Sequence, residues 1–447
     1  MEGITREKLK EQVCGEIHRR SGEIMALAQD ILRHPELGYR ERRTASVLAR
    51  EFSSLGLPVE TGLARTGVKA RAAGRGKGPT VAILGEMDAL LCPGHPFADP
   101  ETGAAHACGH HAQAAAMIGA AMGLVGAGAM GLLDGDVVFL GCPAEEYIEL
   151  DFRRALKEAG EIAFFGGKQE LLRAGAFDDV DMAMMVHAEC GRADPVALVG
   201  GDMNGFIGKS IRFIGRAAHA GGAPEQGINA LNAAALALLA INSQRETFRD
   251  QDAVRVHPVI TKGGDSVNIV PADVRMETYV RGRTLQAIRD AGAKVDRAIQ
   301  GAAWSIGARV EITQIPGYLP YRHDEELTRV YAENARALLG EDRVETAPLF
   351  TGSGDIGDLS AVMPAIIPSM GGWKGMAHHP SLEAADPYAA YVRPAQLMAM
   401  TAVDLLWDGA ARARQVLDRF TPLFDRKGCL AFWQELENQK EENAPWN

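Results

Sequence analysis

The chain is poor in aromatic residues, which make up 6% of it, and it carries only six cysteines in 447 residues. Cysteines so sparse, at positions 14, 92, 108, 142, 190 and 429, do not frame a disulfide-stapled fold, so a thiol-reduced, cytoplasmic protein is expected. A basic excess is missing as well: 47 Lys and Arg face 58 Asp and Glu, a net charge of -11. That balance argues against nucleic acid and anionic membrane as partners and for small-molecule chemistry. No apolar run reaches the roughly 18 residues that a membrane span needs. Residues 1–20 are charged and lack the apolar core of a secretory signal. The apolar stretch 112–133 is rich in Gly and Ala and reads as a buried helix. What is present is a globular composition, 47% hydrophobic and 23% charged, in a chain long enough for two domains.

A helical period runs through residues 7–33 and again through 42–55, where Gly56 and Pro58 stop it. Short apolar runs at 81–84, 137–140 and 182–186 alternate with helical or glycine-rich segments. This alternation predicts an α/β fold with a mostly parallel sheet covered by helices on both faces. Asp88, Glu145, Glu146 and His187 fall just past the ends of those runs, the edge at which open α/β sheets bind ligands. A further helix is expected over 156–172. From residue 205 the texture becomes strand 210–214, helix 228–244, strands 254–261 and 274–281, helix 285–302 and strand 308–315. That βαββαβ order predicts an inserted α+β domain of the ferredoxin-like kind. The expected division is therefore 1–204 and 318–447 for a main domain in two parts, with 205–317 as the insert. The closing stretch 412–447 is charged, with Phe420, Phe424, Phe432 and Trp433 at intervals.

The chemistry concentrates in a few segments. His106-Ala107-Cys108-Gly109-His110-His111 offers a thiolate and several imidazoles to a metal, and Gly109 allows the tight turn that brings them close. In isolation such a C-x-H reads more readily as a buried cysteine beside a surface histidine. Pro143-Ala144-Glu145-Glu146 changes that balance. At a strand end, one carboxylate can hold a metal while its neighbour takes a proton from water. His187 closes the run 182–186, and His378-His379-Pro380 supplies further imidazoles. Either could serve as an ordinary hydrogen-bonded histidine, but together with the carboxylate pair they point to a metallohydrolase.

In this order the segments resemble the di-metal peptidase and amidohydrolase family that includes aminoacylases, glutamate carboxypeptidases and succinyl-diaminopimelate desuccinylases. They are most similar to its branch of hippurate hydrolases, auxin-conjugate hydrolases and aminobenzoyl-glutamate hydrolases. The resemblance also rests on His34-Pro35-Glu36-Leu37-Gly38-Tyr39, Glu86-Met87-Asp88-Ala89-Leu90, Ala217-Ala218-His219-Ala220-Gly221 and the stretches 175–187, 264–271 and 352–358. It implies a catalytic domain with an inserted lid and dimerisation domain, working as a homodimer. It implies two divalent ions, manganese or zinc with cobalt or nickel also compatible, held by Cys108, His110, Glu146, His187 and His378. His378 is preferred over His379 on the family's spacing to the proline position. Glu145 matches the general base, Asp88 a carboxylate that orients a ligand, and His219 a histidine that crosses the dimer interface to the oxyanion. Asn268 and Arg281 fall where the family meets the substrate or its carboxylate.

The implied reaction is hydrolysis of the C–N amide bond of a small, carboxylate-bearing N-acyl or N-aroyl amino acid or dipeptide. Hydrolytic deamination of an aromatic amine, with release of ammonia, is the alternative, and a non-catalytic binding protein on the same fold is a second. Four departures surround the metal motif, one of them the helix expected over 156–172, which the simplest relatives do not match. His111 stands where the nearest relatives have aspartate, Gly141-Cys142 replaces Phe-Gln, and 147–153 replaces a glycine-rich segment. They bear on the substrate more than on the metals.

Overall fold

The computed structural model describes residues 3–437 and 440–443, the last four as backbone alone. The chain forms two compact units. One comprises Met1–Gly201, Arg322–Pro348 and Asp358–Arg426, the other Asp202–Tyr321, Leu349–Gly357 and Lys427–Asn447.

The first unit is built on a six-stranded sheet in the spatial order Val59–Leu63, Gly67–Ala72, Asp136–Cys142, Thr80–Glu86, Met182–Met184, Ala365–Ile366. The last four strands run parallel and the first two form an antiparallel edge. Every residue of Thr80–Glu86 is buried, as a central parallel strand covered on both faces must be. The helix His110–Gly126 is buried around its whole circumference as far as Leu124. It packs on that strand and against the helices Arg6–Arg19, Ser21–Leu32 and Arg393–Leu406. A smaller sheet places Val344–Thr346, Ala197–Val199, Ser369–Met370 and His187–Ala188 side by side.

Several local expectations are corrected. The helix expected over 7–33 breaks at Arg20, which caps both halves. The helix expected over 156–172 is two helices, Leu150–Glu158 and Gly167–Arg173. Gly160, with φ +73°, turns the chain between them. The run 182–186 ends its strand at Met184, and His187 starts a strand of the smaller sheet.

The second unit holds an antiparallel sheet in the order Arg255–Val256, Asp273–Gly282, Gly205–Ile214, Arg309–Tyr318, Lys440–Asn443, with Val259–Lys262 also on Asp273–Gly282. Helices Ala230–Ser243 and Leu285–Ile306 close a separate core around Phe213, Met276, Val295 and Ile299. The order of these elements along the chain is βαββαβ. Residues 349–357 and 427–447, read from sequence as part of the main domain, group with this unit instead. Helix Arg426–Glu437 buries Phe432 and Trp433. Of the closing stretch, residues 438–439 and 444–447 lie outside the described residues. Among the described residues no helix is long and apolar enough to cross a membrane, and all six cysteines are free thiols.

Candidate metal centre

Three parallel strands and one helix deliver the site. Glu86 ends Thr80–Glu86 and Asp88 follows it; Glu145 and Glu146 follow Asp136–Cys142; His187 follows Met182–Met184. Cys108 and His110 arrive on the turn into His110–Gly126. That turn needs glycine at 109, where φ is +89° and a Cβ would stand 2.8 Å from the Ala188 Cβ.

The ligand-type atoms of Cys108, His110 and His187 lie within 4.8 Å of one another, and so do those of Cys108, Glu146 and His378. The Cys108 thiol is thus common to both groups. A third group joins Glu86, His110 and Glu145. Cys108 Sγ stands 3.5 Å from His187 Nε2, Glu146 Oε1 3.5 Å from His378 Nε2, and Glu145 Oε2 3.9 Å from His110 Nε2. His379 turns instead to the Ser381 hydroxyl at 2.8 Å.

Hydrogen bonds set each group's orientation. His110 Nδ1 faces the Asp88 carbonyl at 2.9 Å and an Asp88 carboxylate oxygen at 3.3 Å, which leaves Nε2 toward the cluster. The other Asp88 oxygen accepts from the Glu146 backbone N–H at 2.9 Å. Asp88, fully buried, therefore positions both a histidine and a carboxylate of the cluster. His187 Nδ1 lies 3.0 Å from the Ala188 carbonyl, which likewise directs Nε2 inward. His110 Nε2 and Glu146 Oε1 are buried and make no aligned hydrogen bond among the described residues, with Glu86 and His378 groups as their neighbours at 3.1 and 3.5 Å. Such atoms are costly unless a cation supplies the neighbour, so the donor set fits divalent metals.

The peptide ahead of the Glu145-Glu146 pair is held from both sides. Ala144 sits at φ +52°, a conformation that costs a non-glycine residue energy and needs support. Its N–H donates to buried Glu41 at 2.8 Å, and its carbonyl accepts from the Gly167 N–H at 3.1 Å. Glu41 also accepts from the Thr66 hydroxyl at 2.6 Å. Buried Arg153 donates to the Phe165 carbonyl at 2.6 Å, to the Glu146 carbonyl, and more distantly to Ala144 at 3.5 Å. Its guanidinium stacks on Tyr39 and Tyr147.

Charges in the cluster are mutually dependent. Burial, reinforced by the Asp88 carboxylate, raises Glu146 to about 7. Burial and the Glu146 carboxylate push the Cys108 thiol well up, so thiolate ligation entails release of its proton as metal binds. Burial alone would push Glu86 up, but Lys168, His110 and His187 outweigh it and bring it to about 2. His111 points away from the cluster, edge-on to Trp373 and Tyr391, and burial holds it neutral with a pKa of about 3.

The remaining sequence candidates lie in the second unit. His219 is exposed, and its Nδ1 accepts from the Gly221 and Gly222 N–H groups at 3.2 and 3.0 Å. With Nδ1 accepting, the neutral ring carries its proton on Nε2. Asn268 is brought alongside by the bridge His219–Ile269 and by its carbonyl, which accepts from Ala220 at 2.9 Å. Arg281 donates to the Ser353 hydroxyl at 2.7 Å and stacks on Phe206 and Tyr279, apart from that loop pair. Sequence reasoning missed Glu41, Glu86, Arg153 and Lys168 as parts of the site. Glu86 and Arg153 lay in segments it had singled out, whereas Glu41 and Lys168 carried no local signal.

A thiol, imidazoles and a carboxylate pair at the C-terminal edge of a parallel sheet define a site of the metallohydrolase class. Residues 82–403 match the model of peptidase family M20/M25/M40, and the chain belongs to that family. Over 433 residues it is 29% identical to a mouse (Mus musculus) Xaa-Arg dipeptidase, covering 90% of each chain. It is 31% identical over 317 residues to a p-aminobenzoyl-glutamate hydrolase polypeptide of Escherichia coli, covering 66% of this chain and 59% of that one. A dinuclear metal binding peptidase of the same family from Bacillus subtilis shares the fold with a TM-score of 0.67 and 24% identity, over 87% of this chain and 99% of that one. The protein is a hydrolase acting on C–N bonds, which sets aside a purely non-catalytic binding role.

Proposed function

We propose that the chain is a two-metal amidohydrolase that splits small amino acid conjugates, either dipeptides or N-acyl and N-aroyl amino acids. The observation that carries the reading is the Cys108 thiol shared between His110 with His187 and Glu146 with His378, with the Glu145 carboxylate beside His110. Cys108, His110, Glu146, His187 and His378 hold the cations; manganese and zinc both suit so mixed a donor set, as do cobalt and nickel. When bound, paired cations lower the pKa of a water and polarise the scissile carbonyl.

The chain's own groups do the rest. Glu145 takes the proton of the attacking water and returns it to the leaving nitrogen, as a half-buried carboxylate beside histidine is suited to do. His219, supplied by a second copy of the chain, donates its Nε2–H to the oxygen on which charge develops. Asn268 and Arg281 bind the substrate, Arg281 through its carboxylate. Support for a homodimer comes from apolar side chains that the second unit leaves in water: Leu239 on helix Ala230–Ser243 and Val259 on an edge strand.

A mass-spectrometric screen of metal-loaded protein tests the reading. The panel contains dipeptides, N-acyl amino acids, aminobenzoyl-glutamate and substituted anilines, with metal-stripped protein as control. Paired acid and amine products are expected. Replacement of an aromatic amino group by hydroxyl, with ammonia released, would make the protein a deaminase instead.

A further inference from the structure

Glu86 ends a fully buried strand, and both of its oxygens are engaged. One accepts from the Lys168 ammonium at 2.6 Å. The other accepts from the Gln113 amide at 2.8 Å and stands 3.1 Å from His110 Nε2. Lys168 is fully buried, and Glu86 and His110 nearly so. A buried ion pair does little for stability that apolar side chains of the same volume would not do, so the pair calls for another purpose. The geometry supplies one. His110 Nε2 is buried and makes no aligned hydrogen bond among the described residues, although the Glu86 oxygen stands 3.1 Å from it, and the ligand-type atoms of Glu86, His110 and Glu145 lie within 4.8 Å of one another. Two ligand atoms, each about 2.1 Å from one cation and at a right angle, stand about 3.0 Å apart.

We propose that Glu86 is a further ligand of the metal centre, binding beside His110, and that Lys168 is the fixed counter-charge that allows an extra carboxylate there. This inference rests on the two-metal reading above. Lys168 approaches one oxygen of Glu86 and leaves the other to the cation, while Gln113 fixes the plane of the carboxylate. Without Lys168, the carboxylates of Glu86, Glu145 and Glu146 would crowd one small volume. With it, the site gains an oxygen donor without gaining net charge, and oxygen donors favour manganese over thiophilic ions.

The test titrates metal-stripped, full-length protein with Mn(II), following the signal of free Mn(II) by electron paramagnetic resonance. It is paired with absorption spectra of the Co(II)-loaded forms. Wild type is expected to take two ions. Glu86→Gln should weaken one of them by more than ~100-fold, beyond the roughly 10–100-fold that loss of an indirect partner of a ligand costs, and should alter the Co(II) bands. Because Glu86→Gln removes the Lys168–Glu86 ion pair as well as a candidate ligand, the double variant Glu86→Gln/Lys168→Met decides the matter. If its metal deficit and altered bands persist, Glu86 is a ligand. If it binds both ions with wild-type affinity and unchanged bands, Glu86 only neutralises Lys168 and the proposal is overturned. A wild type that takes up no metal at all would instead overturn the two-metal reading itself.

Discussion

Replacing Arg153 by methionine removes the guanidinium that fixes the carboxylate pair, and the size of the effect follows from its bonds. Two short bonds go to the Phe165 and Glu146 carbonyls, and a third, longer one reaches Ala144. A hydrogen bond involving a charged group contributes about 1.5–3 kcal/mol, so losing the two short ones costs about 3–6 kcal/mol. Part of that returns. Arg153 is buried with no ion-pairing carboxylate among the described residues, and an uncharged side chain escapes this desolvation. The Ala144 carbonyl also keeps its bond from Gly167. The net expectation is a loss of about 2–4 kcal/mol in the first unit. Activity should suffer more specifically, because the freed Glu146 carbonyl belongs to the residue next to Glu145 and a shift of about 1 Å in a reacting group costs roughly 10²-fold. The assay is the urea midpoint of metal-free protein together with kcat and KM at saturating metal. Arg153→Lys, whose single ammonium reaches one carbonyl rather than two, should recover part of kcat. A methionine variant with wild-type kcat and midpoint would refute the reasoning.

Glu145→Gln should lower kcat by about 10²–10⁴-fold, the range for a positioned general base, while metal analysis still finds both ions; retained turnover would remove Glu145 from its role. His219→Ala should cost about 10²-fold in kcat, as for loss of an oxyanion donor, and steady-state kinetics with an unchanged rate would exclude it. Burial, with Asp88 adding to it, raises Glu41 from 4.5 to about 7 in the fold. Its protonated form therefore contributes stability that is complete below about 4.5 and is lost as pH rises through about 7. Glu41→Gln should thus gain on the wild type in urea midpoint between pH 5 and 8, whereas a constant offset across that range would contradict the shift.

The main sheet was legible because buried parallel strands appear as unbroken apolar runs, and the residues just past them were read as site candidates on that ground. Cys108, His110, Glu145, Glu146, His187 and His378 do converge in space. The antiparallel edge Val59–Leu63 with Gly67–Ala72 was not legible. The first of these strands is largely exposed and the second carries Lys69 and Arg71, so neither shows a clear apolar pattern. The supports of the site were hidden for another reason. Lys168 meets Glu86 across 82 residues of sequence, and Glu41 meets the Ala144 peptide across 103; no local pattern announces such pairings. The departure at 147–153 acquires its meaning only in the fold, where Arg153 closes back on the carboxylate pair.

The central claim, hydrolysis of a C–N bond by metal-activated water, is tested most directly by measuring metal content and turnover on the same sample. The substrate is a dipeptide or N-aroyl amino acid hydrolysed in the screen, and the sample is followed through chelation and reloading. The account predicts two ions per chain at full activity, loss of turnover in step with loss of metal, and recovery on adding Mn(II) or Zn(II). Metal-stripped protein that hydrolyses the same substrate at an undiminished rate would contradict it.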